Sequence, residues 1–266
     1  MKNIHWILQS NLIRENTLNT IKNILINDNV SFEEVKIVPF SDELPEIKKI
    51  SDVNVFYGST TLILNAYKKY GLTEGIFYHH QNFSMKTYLQ KWKSKMLNHD
   101  SKILTFKEII NFNYPNESKW FIRPIEDDKS FSGKIFSIQE ICNFEKELKN
   151  SNNPYLTEET LVTMSSPKSI DKEWRLFIVD KKVISSCRYT MNGELNVNDL
   201  DLPKEMIEFA ENCCKEFTPA RVFVMDVALF ENEYKIVECN CFNDSGFYKH
   251  NVEKIVKKVN ELLKVL

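Results

Sequence analysis

No run of apolar residues in this chain approaches the roughly 20 that a bilayer-spanning helix requires. The opening Met-Lys-Asn-Ile-His-Trp has no apolar stretch of the kind that heads a secretion signal. The expectation is a cytoplasmic protein with no membrane partner. An excess of one charge is also missing: 35 Lys and Arg against 37 Asp and Glu leave a formal charge of -2. That balance lacks the basic footprint of a nucleic-acid binder, so no nucleic-acid partner is expected. Glycine is scarce, 6 in 266 residues, and with 8 prolines and no long polar tract the collagen-like, low-complexity and largely disordered classes fall away. The cysteines (Cys142, Cys187, Cys213, Cys214, Cys239 and Cys241) form no Cys-x-x-Cys pair, which argues against a zinc site and for buried free thiols. What is present is 42% hydrophobic and 12% aromatic residues, enough for the cores of two or three small domains.

Residues 5–9, 34–39, 53–57 and 75–78 read as strands, with helical patterns at 11–27 and 62–70. Strands separated by helices predict a parallel sheet. Gly58-Ser59-Thr60-Thr61, at a strand-to-helix junction, is either an ordinary N-cap or an anion-binding helix start. The basic stretch 86–95 coats a helix face, with Tyr88 and Trp92 four residues apart and packed together. His79 and His80 read as a structural or surface pair. A polar stretch at 98–102 closes an N-terminal α/β domain over residues 1–100. Residues 101–154 form a small α+β lobe of strands 120–124 and 133–137 and a helix at 138–148, opened by a Ser137/Glu140 capping box and ended by 150–154. Residues 155–266 carry strands at 155–162, 174–179, 182–190, 222–230 and 233–240, a helix at 204–217 and a terminal helix, the makings of an antiparallel lobe.

The most informative stretch is 221–243. Its two apolar runs flank Glu231-Asn232-Glu233, read as a three-residue hairpin loop with Asn232 in the left-handed position. Centred there, the hairpin sets Asp226 opposite Glu238 and Val224 opposite Asn240, and period-two alternation puts Asp226, Glu238 and Asn240 on one face. Two carboxylates facing each other in apolar strands repel and lose hydration, so something positive belongs between them. Two carboxylates and a carboxamide oxygen suit Mg²⁺, which keeps several waters and takes further ligands from nucleotide phosphates. The alternative is a solvent-facing polar edge. A two-residue loop would shift the register and separate the pair.

Three arginines stand in or beside strands: Arg123 before Pro124, Arg175 within 173–179, and Arg188 at the end of 183–189. Each alone reads first as a surface ion pair of small value. Together with an oxygen-rich hairpin they make a coherent polyphosphate site, because guanidinium forks match phosphate oxygens. The loop 126–134 can cover phosphates, with Lys129 or Lys134 adding charge, although Glu126-Asp127-Asp128 must then point outward. The stretch 155–162 offers backbone groups and Glu158 and Glu159 to an adenine edge, or is an edge strand with exposed glutamates. Beyond the hairpin, 242–248 turns either beside a second substrate or as a plain strand-to-helix turn.

Taken in order, these segments resemble the ATP-grasp superfamily over residues 119–249. Asp226 followed by Glu238-Cys239-Asn240 is similar to that family's aspartate and Glu-x-Asn pair that hold two magnesium ions. Glu173-Trp174-Arg175 with Arg188 resembles the Asp-x-Arg and second arginine of the branch that ligates glutamate to peptide ends, with Glu173 in place of Asp. The resemblance implies an ATP-grasp fold: an N-terminal α/β parallel-sheet domain, a small α+β middle lobe and a C-terminal antiparallel-sheet lobe with the metal site. It implies adenine contacts from Glu158, Glu159 and Leu161, and phosphate contacts from Arg123 and Lys134. Arginine replaces the usual lysine at the strand position, and the covering loop is poorer in glycine than is typical. The implied cofactors are ATP and Mg²⁺. The implied activity is carboxylate–amine ligation through an acylphosphate, with Arg175 and Arg188 on the transferred group and small-molecule or peptide carboxylates and amines as substrates. The alternatives are an ATP-binding regulatory or degenerate module without turnover, and kinase-like transfer to a small acid.

Overall fold

The computed structural model describes residues 2–11, 13–38, 41–71, 74–111, 115, 117–126, 131–151 and 156–265. The chain opens with β1 (Ile4–Gln9), α1 (Glu15–Asn27), β2 (Ser31–Val35) and β3 (Val53–Tyr57). These strands form a parallel sheet in the order β2-β1-β3. All six residues of β1 are buried because helices cover both faces of the sheet. The helices α2 (Thr60–Tyr70) and α3 (Met85–Trp92) follow. Tyr88 and Trp92 are both buried and stack at 5.4 Å between centroids. The strand expected at 34–39 lies at Ser31–Val35. Residues 75–78 are not a strand but a buried passage beside β3, so close that a Cβ on Gly75 would stand 2.0 Å from the Asn54 carbonyl oxygen.

The second unit contains β4 (Lys102–Thr105), α4 (Phe106–Ile110), β5 (Lys119–Pro124), β6 (Lys134–Ser137), α5 (Ile138–Lys149) and β7 (Leu161–Ser165). Its antiparallel sheet runs β4-β7-β5-β6. Capping boxes open both helices, Thr105 with Glu108 and Ser137 with Glu140. The strand expected at 155–162 begins instead at Leu161 and belongs to this sheet, which therefore extends past residue 154. Of the segments singled out by sequence, residues 127–130 of the phosphate-loop candidate and 152–155 lie outside the described residues.

The third unit is a five-stranded antiparallel sheet, made of β8 (Lys172–Val179), β9 (Lys182–Met191), β10 (Glu194–Asn198), β11 (Val222–Phe230) and β12 (Glu233–Cys241), in the order β10-β9-β8-β11-β12. Helix α6 (Lys204–Glu216) packs on one face, and α7 (Val252–Lys264) lies between the other face and the first sheet. Trp6 Nε1 donates to Asn260 Oδ1 of α7 at 2.9 Å, tying the chain's first strand to its last helix. The hairpins turn on two residues with positive φ: Asp180-Lys181, Asn192-Gly193 and Glu231-Asn232. This is the type I′ signature that suits the right-handed twist of the flanking strands. None of the described helices is long and apolar enough to cross a membrane.

Candidate functional site

The hairpin β11–β12 reaches the expected pairing by an unexpected route. Its loop has two residues, not three, so Phe230 pairs with Glu233 and Val227 with Ile236. A bulge then falls between Asp226 and Val227, where Val237 is the extra residue on β12, and beyond it Asp226 faces Glu238 and Val224 faces Asn240. The bulge cancels the one-residue offset of the turn. Asn240 Nδ2 donates to Asp226 Oδ2 at 3.1 Å and to Glu238 Oε1 at 3.4 Å, so the three side chains share one face.

The positive groups beside these carboxylates are guanidinium groups. Arg175, opposite Asp226 in the β8–β11 register, donates from Nε to Oδ1 at 2.9 Å and from Nη2 to Oδ2 at 2.7 Å. Asp226 is 0% exposed, so this fork supplies the charge compensation that its burial demands. The rings of Tyr189 and Tyr248 lie 5.5 and 5.4 Å from the Arg175 guanidinium, and each attracts it through its π-face. Arg123, on β5 of the four-stranded sheet, donates to Glu238 on β12 of the five-stranded sheet and so joins the two lobes.

Glu173 adds a third carboxylate on this face, where it accepts hydrogen bonds from Tyr189 Oη and from Thr190 Oγ1. Burial above all, then the charge of Asp226, pushes its carboxyl up to about 7. Burial also works against ionised Glu238, but the charge and hydrogen bond of Arg123 outweigh it and hold that carboxyl below its ordinary value. Asp226 is raised, with burial the largest cause and Arg175 opposing it. Glu238 and Asp226 are each met by one guanidinium group, and Glu173, raised by burial, is left without a cation of its own. Two carboxylates and a carboxamide on one face also match the oxygen donors that a hard divalent cation takes. Among the described residues no three His, Cys, Asp or Glu side chains converge as a metal site. The third group here is Asn240, whose carboxamide would offer Oδ1 to a cation on turning over, and on these grounds the residue types fit Mg²⁺.

Arg188 does not join the cluster. In the β8–β9 register Arg175 faces Cys187 and Trp174 faces Arg188, which puts the two arginines on opposite faces of the sheet. The reason is a bulge at Ile184, between the Ile178–Val183 and Phe177–Ser185 pairs, which reverses the facing of the residues beyond it. Arg188 instead meets Asp201 at 3.2 Å through Nη1 and donates from Nη2 to Asn196 Oδ1 at 2.9 Å. Its expected convergence with Arg175 is thereby corrected.

Lys134 is exposed at the start of β6, its Nζ 4.6 Å from the Phe136 ring centroid. Glu158 and Glu159 sit on a turn rather than in a strand: Glu158 accepts the Lys107 N–H at 3.1 Å through its carbonyl, and Glu159 pairs with Lys107 Nζ at 2.7 Å. Leu161 opens β7 and is 47% exposed. The buried Asn243 carries no periodic signal in the sequence, yet it knits the end of the hairpin to the first domain. Its Nδ2 donates to the carbonyls of Phe56 and Gly75 at 2.6 and 2.9 Å, and its Oδ1 accepts the Phe77 N–H at 2.8 Å.

Two lobes, each an antiparallel sheet with helices, thus meet across a carboxylate–guanidinium cluster. Residues 100–258 match the family described as ATP-grasp domain, R2K clade family 2, and the chain belongs to that family. No curated protein matches by sequence. Among solved structures, D-alanine–D-alanine ligase from Bacillus anthracis is 14% identical with a TM-score of 0.60, over 98% of this chain and 97% of that one. An ATP-grasp protein with a RimK domain from Sphaerobacter thermophilus is 11% identical with a TM-score of 0.62, over 96% and 99%. The ATP-grasp ligase PsnB, in complex with a phosphomimetic variant of its minimal precursor, Mg and ADP, is 10% identical with a TM-score of 0.61, over 99% of each chain. At these identities the likeness is one of fold.

Proposed function

We propose that this protein is an ATP-dependent carboxylate–amine ligase. The observation that carries the reading is the convergence of Asp226, Glu238 and Asn240 on one sheet face, with Arg175 and Arg123 beside them from two different sheets. Membership of the ATP-grasp family and the ligase folds around it support it. In this reading Asp226, Glu238 and Asn240 would hold Mg²⁺, which when bound would neutralise phosphate charge. Arg123 and Lys134 approach the phosphates from the small lobe, and Glu158, Glu159 and Leu161 border the adenine. Arg175 favours the ionised form of Asp226 and orients it, while its remaining N–H groups face the transferred phosphoryl group. Arg188, on the far face, has no part in this.

The substrate carboxylate attacks the γ-phosphorus, the bond to the ADP oxygen breaks, and ADP leaves with the electron pair. The deprotonated amine then forms a C–N bond to the acylphosphate as the C–O bond to phosphate breaks, and its second proton leaves with the phosphate. The protein positions and neutralises, and no side-chain nucleophile is required. The test is incubation with ATP, Mg²⁺, ¹⁸O-labelled carboxylates and mixed amino acids and peptides. Amine-dependent ADP release, an amide product and ¹⁸O in the released phosphate are expected, with Glu238→Gln lowering turnover on the order of 10²-fold. ATP bound without turnover would make the protein a nucleotide-binding module, and ADP release without an amide would make it a kinase.

A further inference from the structure

The first sheet has a topological switch point. Its central strand β1 is followed by α1 and β2 on one side, while β3 lies on the other. Beyond the carboxyl ends of β1 and β3 the connections diverge, and that crevice is where open α/β sheets bind ligands. Here it is a cleft of about 360 Å³, the size of small-molecule sites. One wall comes from the start of α1 and the end of β3. The other is the segment 244–248, which follows the Glu238–Asn240 hairpin.

The second wall is held in place by the first domain. Gly58 N–H donates to the Asn243 carbonyl at 2.9 Å, Tyr57 Oη to the Ser245 carbonyl at 2.6 Å, and Thr60 Oγ1 to Asp244 Oδ2 at 2.7 Å. The cleft also adjoins the carboxylate–guanidinium cluster, because Tyr248 lines it and lies over Arg175. Its described lining contains one cation, Arg14, and one carboxylate, Asp244, with the hydroxyls of Thr17 and Ser59 nearby. Arg14 is exposed and makes no ion pair among the described residues. It also occupies the N-cap of α1, where a helix favours negative charge and a cation is disfavoured. A guanidinium at such a position, lining a cleft beside a proposed ligation centre, is placed to meet an anion rather than to cap the helix.

We propose that this cleft seats the amine substrate as a free α-amino acid or short peptide acid, with Arg14 and the Thr17 and Ser59 hydroxyls taking its carboxylate and Asp244 orienting its amino group. The assignment rests on the ligase reading and narrows it. A guanidinium recognises a carboxylate through paired N–H groups, and a substrate lacking that group leaves the site's polar groups unmatched. Lysine side chains of folded proteins carry no carboxylate beside the amine and are excluded as acceptors.

The test is calorimetry on the full chain with ADP and MgCl₂ present, titrating the common amino acids, each beside its carboxamide and its decarboxylated amine. At least one amino acid is expected to bind, with its carboxamide and amine weaker by about 10- to 100-fold. Arg14→Ala is expected to weaken the acid by a similar factor without altering the fold, and Arg14→Lys to recover part of the loss. In turnover, Arg14→Ala should raise KM for the amine and leave kcat within a few-fold. Equal binding of acid and carboxamide, an unaffected Arg14→Ala, or no binding from the whole panel would overturn the assignment. Selective binding without amide product would leave the cleft assigned and remove the ligase reading. Amide formation that ignores both the carboxylate and Arg14 would do the reverse.

Discussion

Arg175→Met removes one guanidinium and leaves a fully buried carboxylate behind. Asp226 is 0% exposed and takes hydrogen bonds of 2.9 and 2.7 Å from Arg175, against one of 3.1 Å from Asn240. Truncating one partner of a buried ion pair costs about 3–5 kcal/mol, because the survivor keeps its desolvation penalty without its compensation. The two aromatic faces against Arg175 add about 0.5–1 kcal/mol each. Methionine fills much of the same volume, which limits the packing loss. A loss of about 4–7 kcal/mol follows, a large share of the 5–15 kcal/mol that folded proteins possess. Urea unfolding at pH 7 without nucleotide measures it as a fall in midpoint at constant m. The double variant Arg175→Met with Asp226→Leu removes both charges and should regain most of the stability. A single-variant loss below about 1 kcal/mol would refute the charge-compensation argument. A double variant no more stable than the single would show that packing, not the stranded carboxylate, set the cost.

Acid should destabilise the protein through His250. Burial, with the charge of Arg175 assisting, pushes its pKa down to about 3, while the unfolded chain titrates near 6.5. Between those values the unfolded state binds the extra proton, so stability falls as pH falls through that window. From pH 7 to pH 5 the loss is about 2 kcal/mol, and His250→Asn should remove that portion of the slope of unfolding free energy against pH. An unchanged slope in the variant would contradict the shift. Asn243→Ala strands two buried carbonyls and one buried N–H, and at about 1–3 kcal/mol for each unpaired group it should cost at least about 3 kcal/mol in urea unfolding. A loss below about 1 kcal/mol would mean that the first domain and the hairpin segment are held together by other contacts.

Much of the architecture was legible in the chain. Alternating strand and helix patterns foretold the parallel sheet, and Ser137 with Glu140 marked the start of α5, because apolar period and capping chemistry are local properties. Even the missed strand β10 left a local trace. Asn192-Gly193 is a hairpin turn signal, but β10 itself is polar and exposed at the sheet edge and so lacks the apolar alternation by which strands are recognised.

The sequence alone determined which residue types were available to the site: two carboxylates and a carboxamide at strand spacing, and arginines in neighbouring strands. Tertiary structure decided which of them meet. The bulge at Val237 brings Asp226 opposite Glu238 despite a two-residue turn, and the bulge at Ile184 turns Arg188 to the far face. In a strand the facing of a side chain depends on the parity of the residues between it and the turn, so a single inserted residue reverses it, and no local propensity encodes that insertion. The Arg123–Glu238 pair spans 115 residues and exists only because two separate sheets pack together.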